Sequence, residues 1–131
     1  MENLRAQKLI GTTLGQHYKV LSLLGEGGMG EVFLVEHTGT RQRLALKLLN
    51  DQMSQLPEAV ARFEREALAA ANIHHPNVAA AIDSGRTSDG ALFVVYEYAD
   101  GQSLYDRIVR GRLPVPLAVH ITRQVASALV W

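Results

Sequence analysis

Four glycines and one lysine are the residues of this sequence best suited to chemistry. Residues 24–33 read Leu-Gly-Glu-Gly-Gly-Met-Gly-Glu-Val-Phe, and Lys47 ends the segment Leu-Ala-Leu-Lys at residues 44–47. Because glycine has no Cβ atom, such a loop can bring its backbone N–H groups against an anion such as a phosphate. An ammonium group at Lys47 would add a positive charge for the phosphate oxygens. Together these residues predict a phosphate-binding site.

The residues that follow the glycines distinguish between kinds of phosphate-binding site. A dinucleotide-binding fold needs a helix that begins at the last glycine. Residues 31–36 are instead β-branched, aromatic and charged, which predicts a strand. The P-loop pattern G-x-x-x-x-G-K-[ST] is also absent. We therefore predict an antiparallel hairpin, with strands at residues 18–24 and from Val32 onward, whose glycine tip can close over a nucleotide.

Lys47 lies in a segment that alternates as a strand does. Over residues 41–49, Leu44, Leu46 and Leu48 fall on one face while Ala45 and Lys47 fall on the other. The small Ala45 leaves room for a flat group beside the lysine. A strand lysine considered alone more commonly points to solvent on an edge hairpin, but the glycine loop at this spacing favours a ligand-binding role.

A helix is predicted from Pro57 to about residue 72, because the segment is rich in Ala, Glu and Arg and proline suits a first turn. Glu66 borders its apolar arc, where an unpaired carboxylate would be costly to bury. We expect Glu66 to pair with Lys47. The alternatives are a surface pair between Glu66 and Arg62, and Glu64 as the partner of Lys47. The apolar arc consists of Ala59, Val60, Phe63, Ala67, Ala70 and Ala71.

These motifs resemble those of eukaryotic-type (bacterial-like) serine/threonine protein kinases. L-G-E-G-G-M-G-E-V-F followed by L-A-L-K resembles their glycine-rich loop and strand lysine. R-F-E-R-E-A resembles part of their αC helix, H-P-N-V the link after it, and Y-E-Y-A-D-G-Q-S-L their hinge. The resemblance covers about residues 15–131. It implies an α+β fold, in which an N-lobe of five antiparallel strands and the αC helix is followed by two C-lobe helices, at residues 103–110 and 116–131.

The resemblance also implies a domain division and a set of site residues. Residues 1–14 would be an extension with a short helix at most, residues 15–102 the ATP-binding N-lobe, and residues 103–131 a partial C-lobe. Lys47 and Glu66 would be the catalytic pair, with Glu66 orienting Lys47 toward the α- and β-phosphates. Tyr96 would be the gatekeeper, and the backbone of the hinge would bind the adenine edge. The implied ATP-binding residues are Leu24, Gly25, Glu26, Gly27, Gly28, Met29, Gly30, Val32, Ala45, Lys47, Glu97 and Ala99.

The implied activity is that of a transferase, which moves the γ-phosphate of ATP to serine or threonine of a protein substrate with the help of Mg²⁺. The sequence contains no H-R-D, D-F-G or A-P-E motif, so the Mg²⁺ ligands are absent. The 131-residue chain is therefore expected to be truncated and inactive by itself. The alternative is a non-catalytic half-kinase module that binds a nucleotide or a partner. Asp83-Ser84-Gly85 is expected to be a turn at the end of a strand at residues 78–82, not a D-F-G motif.

The composition argues against several other partners. Lys plus Arg and Asp plus Glu number 13 each, so there is no net field to attract nucleic acid or an anionic membrane. There is no cysteine, and the adjacent His74 and His75 splay apart with no third ligand nearby, so no metal site is predicted. No signal peptide is visible and no apolar run approaches about 18 residues, so we expect a cytoplasmic location without a membrane segment.

Two further expectations concern packing. Ala70 and Ala81 are small where the kinase family usually has bulkier apolar residues, so the αC helix is expected to pack loosely. The last helix carries an apolar face near Leu117, Ile121 and Val125 that would face water and invite self-association.

Overall fold

A six-stranded antiparallel sheet forms the centre of the computed structural model, which describes residues 3–130. Its strands lie in the order β1-β2-β3-β4-β6-β5. The predicted α+β fold is confirmed, and β1 adds two residues of the N-terminal extension to the edge of the five expected strands. The strands are β1 (Thr13–Leu14), β2 (Tyr18–Glu26), β3 (Gly30–His37), β4 (Arg43–Leu49), β5 (Ala81–Arg86) and β6 (Leu92–Glu97).

Five helices accompany the sheet. The predicted helix after Pro57 is confirmed as α3, and both C-lobe helices are present, although the expected last residue, Trp131, lies outside the described residues. Before α3, the side chain of Asn50 accepts a hydrogen bond from the Met53 N–H and caps a one-turn helix. The helices are α1 (Leu4–Leu9), α2 (Asp51–Ser54), α3 (Pro57–Asn72), α4 (Leu104–Val109) and α5 (Val115–Leu129).

Apolar side chains are buried on both faces of the sheet. The alternation predicted for β4 is confirmed, with Leu44, Leu46 and Leu48 buried on the face away from α3. On the other face, Phe63 of α3 packs in a second cluster with Leu92 and Val94 of β6. Removal of this apolar surface from water is the main force that holds α3 against the sheet.

The prediction for residues 78–85 is wrong. Asp83, Ser84 and Gly85 are not a turn but lie within β5, where they pair with residues 93–95 of β6. A break in register between Ala81 and Asp83 lets this polar segment continue as an exposed edge strand. A turn at Asp89-Gly90 joins β5 to β6, and in it the Gly90 N–H donates to the Thr87 carbonyl at 2.9 Å.

Helix α5 is attached to the segment that follows α3. Asn77 Nδ2 donates to the Gln124 carbonyl at 2.9 Å, and His75 Nε2 lies 3.2 Å from Ser127 Oγ. Of the apolar face predicted for this helix, Ile121 is half-buried while Leu117 and Val125 are exposed. Among residues 3–130, no helix is long and apolar enough to cross a membrane.

Candidate functional site

Lys47 lies on the face of the sheet that α3 partly covers. Its neighbours across the strands are Val32 of β3 and Val94 of β6. The lysine side chain is 29% exposed, and its Nζ lies 5.7 Å from the centroid of the Phe63 ring. Contact of a cation with an aromatic face is attractive. Lys47 is therefore not the fully solvated lysine of an edge hairpin.

Glu66 of α3 meets both of its predicted partners. Its Oε2 lies 3.8 Å from Lys47 Nζ, and its Oε1 accepts a hydrogen bond from Arg62 Nε at 3.2 Å. Glu64 instead lines a groove between α3 and β5. Because the Glu66 side chain is 45% exposed, water screens its attraction to Lys47. The ion pair therefore adds little to the free energy of unfolding, and its main effect is to hold the lysine in place.

The end of β6 forms the border of this face. Tyr96 is half-buried and lies across from Ala45 of β4. Burial raises the pKa of the Tyr96 hydroxyl above its ordinary 10.0, and the charge of Glu66 raises this pKa further. The Glu97 N–H donates to the Ala80 carbonyl, whereas Ala99 makes no hydrogen bond to any described residue. The Ala99 backbone is therefore free to bind a ligand.

The glycine-rich loop is a tight hairpin. Glu26 pairs with Glu31 at its base, and the Gly27 N–H donates to the Gly30 carbonyl at 2.9 Å. The N–H groups of Gly28 and Met29 donate to no protein group within the part of the chain that the structure describes. Two adjacent unpaired N–H groups at a glycine tip can bind an anion.

The sequence-predicted site residues fall into three groups. Val32, Ala45, Lys47 and Glu66 share one partly open face, as described above. Gly25, Gly27, Gly28, Met29 and Gly30 form the hairpin at the end of β2 and β3, and Leu24 lies beside it at a break in register and is half-exposed. Glu97 and Ala99 lie at the end of β6. The Glu26 carboxylate accepts a hydrogen bond from Asn3 Nδ2 at 2.7 Å.

Two asparagines that contact the loop were missed by the sequence analysis. Asn50 Nδ2 donates to the Gly28 carbonyl at 3.1 Å, and Asn3 Nδ2 donates to the carboxylates of Glu26 and Glu31. The available signal was the preference of asparagine for the position before a helix. That signal predicts the two caps, but it does not predict the contact of either side chain with the glycine loop.

Two other features lie apart from this face. A groove of about 640 Å³ opens between α3 and β5, bordered by the small residues Ala67, Ala71, Ala81 and Gly85. Of the two small residues from which loose packing was expected, Ala81 lines this groove and Ala70 does not. None of the predicted ATP-binding residues lines it. In the described part of the chain, no group of three or more His, Cys, Asp or Glu side chains is placed to hold a metal ion.

Comparison with known proteins agrees with this geometry. The family model of the protein kinase domain matches residues 18–131. Among curated relatives, the serine/threonine-protein kinase pkn3 of Myxococcus xanthus is 40% identical over 121 residues, which are 92% of this chain and 22% of that protein. The serine/threonine-protein kinase PrkC of Bacillus subtilis is 34% identical over 122 residues, which are 92% of this chain and 19% of that protein.

Solved structures show the same fold. The crystal structure of the Mycobacterium tuberculosis PknI kinase domain superposes with a TM-score of 0.75 and 36% identity, covering 91% of this chain and 48% of that one. The chain thus spans about a fifth of these curated relatives and about half of the solved kinase domain. The chain shares this fold, and it has a glycine hairpin and a strand lysine paired with a helix glutamate. It therefore belongs to the protein kinase family and corresponds to the N-lobe and the first part of the C-lobe of a bacterial serine/threonine kinase domain.

Proposed function

We propose that these residues form the ATP-binding part of a serine/threonine protein kinase, and that the complete domain transfers the γ-phosphate of ATP to serine or threonine of a protein substrate. The observation that carries this proposal is the 3.8 Å contact between Lys47 Nζ and Glu66 Oε2 on the strand next to the glycine hairpin. Lys47 pairs across the sheet with Val32, which lies two residues after the last glycine of the loop.

Each part of the site has a proposed task. The N–H groups of residues 25–30 cover the phosphates, and Lys47 contacts the α- and β-phosphate oxygens while Glu66 holds it in place. Val32 and Ala45 lie against the adenine ring. The backbone of Glu97 and Ala99 binds the adenine edge. The neutral Tyr96 closes the inner end of the adenine site.

Mg²⁺ is proposed to accompany the nucleotide, where it would neutralise phosphate charge. The described residues hold no cluster suited to a metal ion, so no residue among them is proposed as a Mg²⁺ ligand. The 131 residues also contain no H-R-D or D-F-G motif. We therefore propose that they bind MgATP without transferring phosphate on their own, with residues 15–102 as the ATP-binding lobe, residues 1–14 as an extension and residues 103–131 as the start of the C-lobe.

Calorimetric titration of the chain with MgATP tests this proposal. Lys47→Met keeps an apolar stem beside Phe63 but removes the charge, and loss of a charge-assisted hydrogen bond should weaken binding at least about tenfold. Lys19→Met is the matched control, because Lys19 is an exposed strand lysine away from the site. Equal affinities of wild type, Lys47→Met and Lys19→Met would overturn the proposal, and so would failure of the wild type to bind MgATP.

A second candidate function, partner binding or self-association through α5, is favoured by the exposure of Leu117 and Val125. Val125 is 51% exposed and lies on the same helix as the exposed Val119 and Leu129. Sedimentation velocity tests this candidate with Leu117→Glu and Val125→Glu. Dimers that both variants dissociate would support it, whereas a monomer unaffected by either variant would count against it.

A further inference from the structure

Two asparagines outside the glycine-rich motif hold that motif from opposite ends. Each is the cap of a short helix, and in each the side-chain oxygen accepts from a helix N–H: Asn3 from Ala6 at 3.0 Å and Asn50 from Met53 at 2.8 Å. In each, the side-chain nitrogen is thereby directed to the glycine loop. The same amide therefore joins a helix start to the loop in both places.

Asn50 contacts the tip of the loop. Its Nδ2 donates to the Gly28 carbonyl at 3.1 Å, and its backbone N–H donates to the Met29 carbonyl at 2.9 Å. Binding of these two carbonyls fixes the peptide planes at the tip. The N–H groups of Gly28 and Met29 are left without partners among residues 3–130. This orientation leaves the donors of the tip free for phosphate.

Asn3 contacts the base of the loop. Its Nδ2 lies 2.7 Å from Glu26 Oε2 and 3.2 Å from Glu31 Oε1, so one amide bridges two carboxylates on paired strand ends. Glu31 is buried, and its other oxygen makes no hydrogen bond to a described residue. Arg5 lies 3.9 Å from that oxygen and 3.3 Å from Asp51, the first residue of α2. The N-terminal helix therefore reduces the repulsion between Glu26 and Glu31 and links the base of the loop to α2.

We propose that Asn3 and Asn50 are positioning residues that hold the glycine-rich loop ready for the phosphates of a nucleoside triphosphate. Asn50 fixes the tip through its carbonyls, and Asn3 keeps the two strand ends together at the base. Neither residue is among the proposed ATP-binding residues. The phosphate part of this inference rests on the proposed ATP-binding function, whereas the holding of the loop does not.

Substitution of asparagine by aspartate separates the two contacts of each side chain. Asn50→Asp and Asn3→Asp keep the oxygen that caps the helix, and aspartate is as good a cap as asparagine. Both variants lose the donor and place a carboxylate against a carbonyl or against two glutamates. Gln52→Glu in α2 and Gln7→Glu in α1 are the charge-matched controls, since both side chains are exposed on the same short helices.

Two measurements test the proposal on the 131-residue chain. In the ligand-free protein, hydrogen exchange of the Gly27 amide, followed by NMR, should be at least about fivefold faster in Asn50→Asp than in Gln52→Glu. Affinity for MgATP should fall about fivefold in Asn50→Asp and about threefold in Asn3→Asp relative to the controls. Affinity for adenosine, which has no phosphates, should be equal in all five proteins.

The outcomes are distinguishable. Faster exchange together with a loss confined to MgATP supports the inference. Equal exchange rates of the Gly27 amide in Asn50→Asp and Gln52→Glu overturn the inference. An equal loss of affinity for MgATP and for adenosine also overturns it, because a general loss of structure would produce that result. If the wild type binds no MgATP, the proposed function fails, and the exchange rates still decide whether Asn50 holds the loop.

Discussion

Gly30 is the glycine of the loop that has the least room for a side chain. A Cβ atom at this position would lie 1.9 Å from the carbonyl oxygen of Leu48 and 3.1 Å from the backbone nitrogen of Asn50. Non-bonded atoms prefer a separation of about 3.5 Å, so backbone would have to move by about 1.5 Å. Because Gly30 pairs with Leu49 at the end of the β3–β4 ladder, that movement would separate two strands.

We expect Gly30→Ala to lower the free energy of unfolding by about 3 kcal/mol, the upper part of the usual range for overpacking. With a urea m-value of about 1.5–2 kcal/mol/M, this corresponds to a midpoint about 1.5–2 M lower. The matched control is Gly28→Ala, where a Cβ atom would meet nothing within 4 Å. Its unfolding free energy should change by less than about 0.5 kcal/mol. Equal urea midpoints for the two variants would show that the backbone around Gly30 can accept a Cβ atom.

Three further predictions concern other parts of the molecule. Burial of Tyr18, followed by its hydrogen bond to Asp83 and the charge of Asp83, raises the pKa of the tyrosine hydroxyl above its ordinary 10.0. The stability that the neutral hydroxyl contributes is therefore complete below about pH 10 and is lost as the pH rises further. Urea midpoints measured across this range should fall more steeply for wild type than for Tyr18→Phe. Arg62→Ala should change MgATP affinity, measured by calorimetry, by less than about twofold, because Glu66 keeps Lys47 as a partner; a larger loss would show that Arg62 holds Glu66 in place. Ala67→Leu should raise the free energy of unfolding by about 1 kcal/mol, because the larger side chain fills part of the groove beside α3. A melting temperature below that of wild type would show that the groove has no room for the added atoms.

The parts of the fold that were predicted correctly are those with a strong local pattern. The alternation of β4 and the composition of α3, with proline in its first turn, each specify an element without help from the rest of the chain. Helix α2 has only four residues and too few positions to show a period, so its formation depends on the cap at Asn50. Strand β5 is polar at Asp83 and Ser84, and pairing with β6 outweighs its weak local preference for a strand.

The contacts of the site also differ in whether the sequence predicts them. The contact between Lys47 and Glu66 was predicted because a carboxylate beside an apolar arc needs a partner, and because R-F-E-R-E-A resembles the kinase helix segment whose glutamate pairs with the strand lysine. The contacts of Asn3 and Asn50 with the loop could not be predicted. They join residues 22 to 28 positions apart in the sequence, and an asparagine before a helix carries no sign of where its nitrogen will point.

We propose that the glycine hairpin and Lys47 hold the phosphates of ATP while the end of β6 holds the adenine. Amide chemical shifts of the isotope-labelled chain, recorded during titrations with MgATP and with adenosine, test it most directly. We expect both ligands to shift the Ala99 amide signal, and MgATP alone to shift the amide signals of Gly28 and Met29. Amide shift changes confined to residues that line the groove between α3 and β5 would contradict this proposal. Equal shift changes of the loop amides with MgATP and with adenosine would also contradict it.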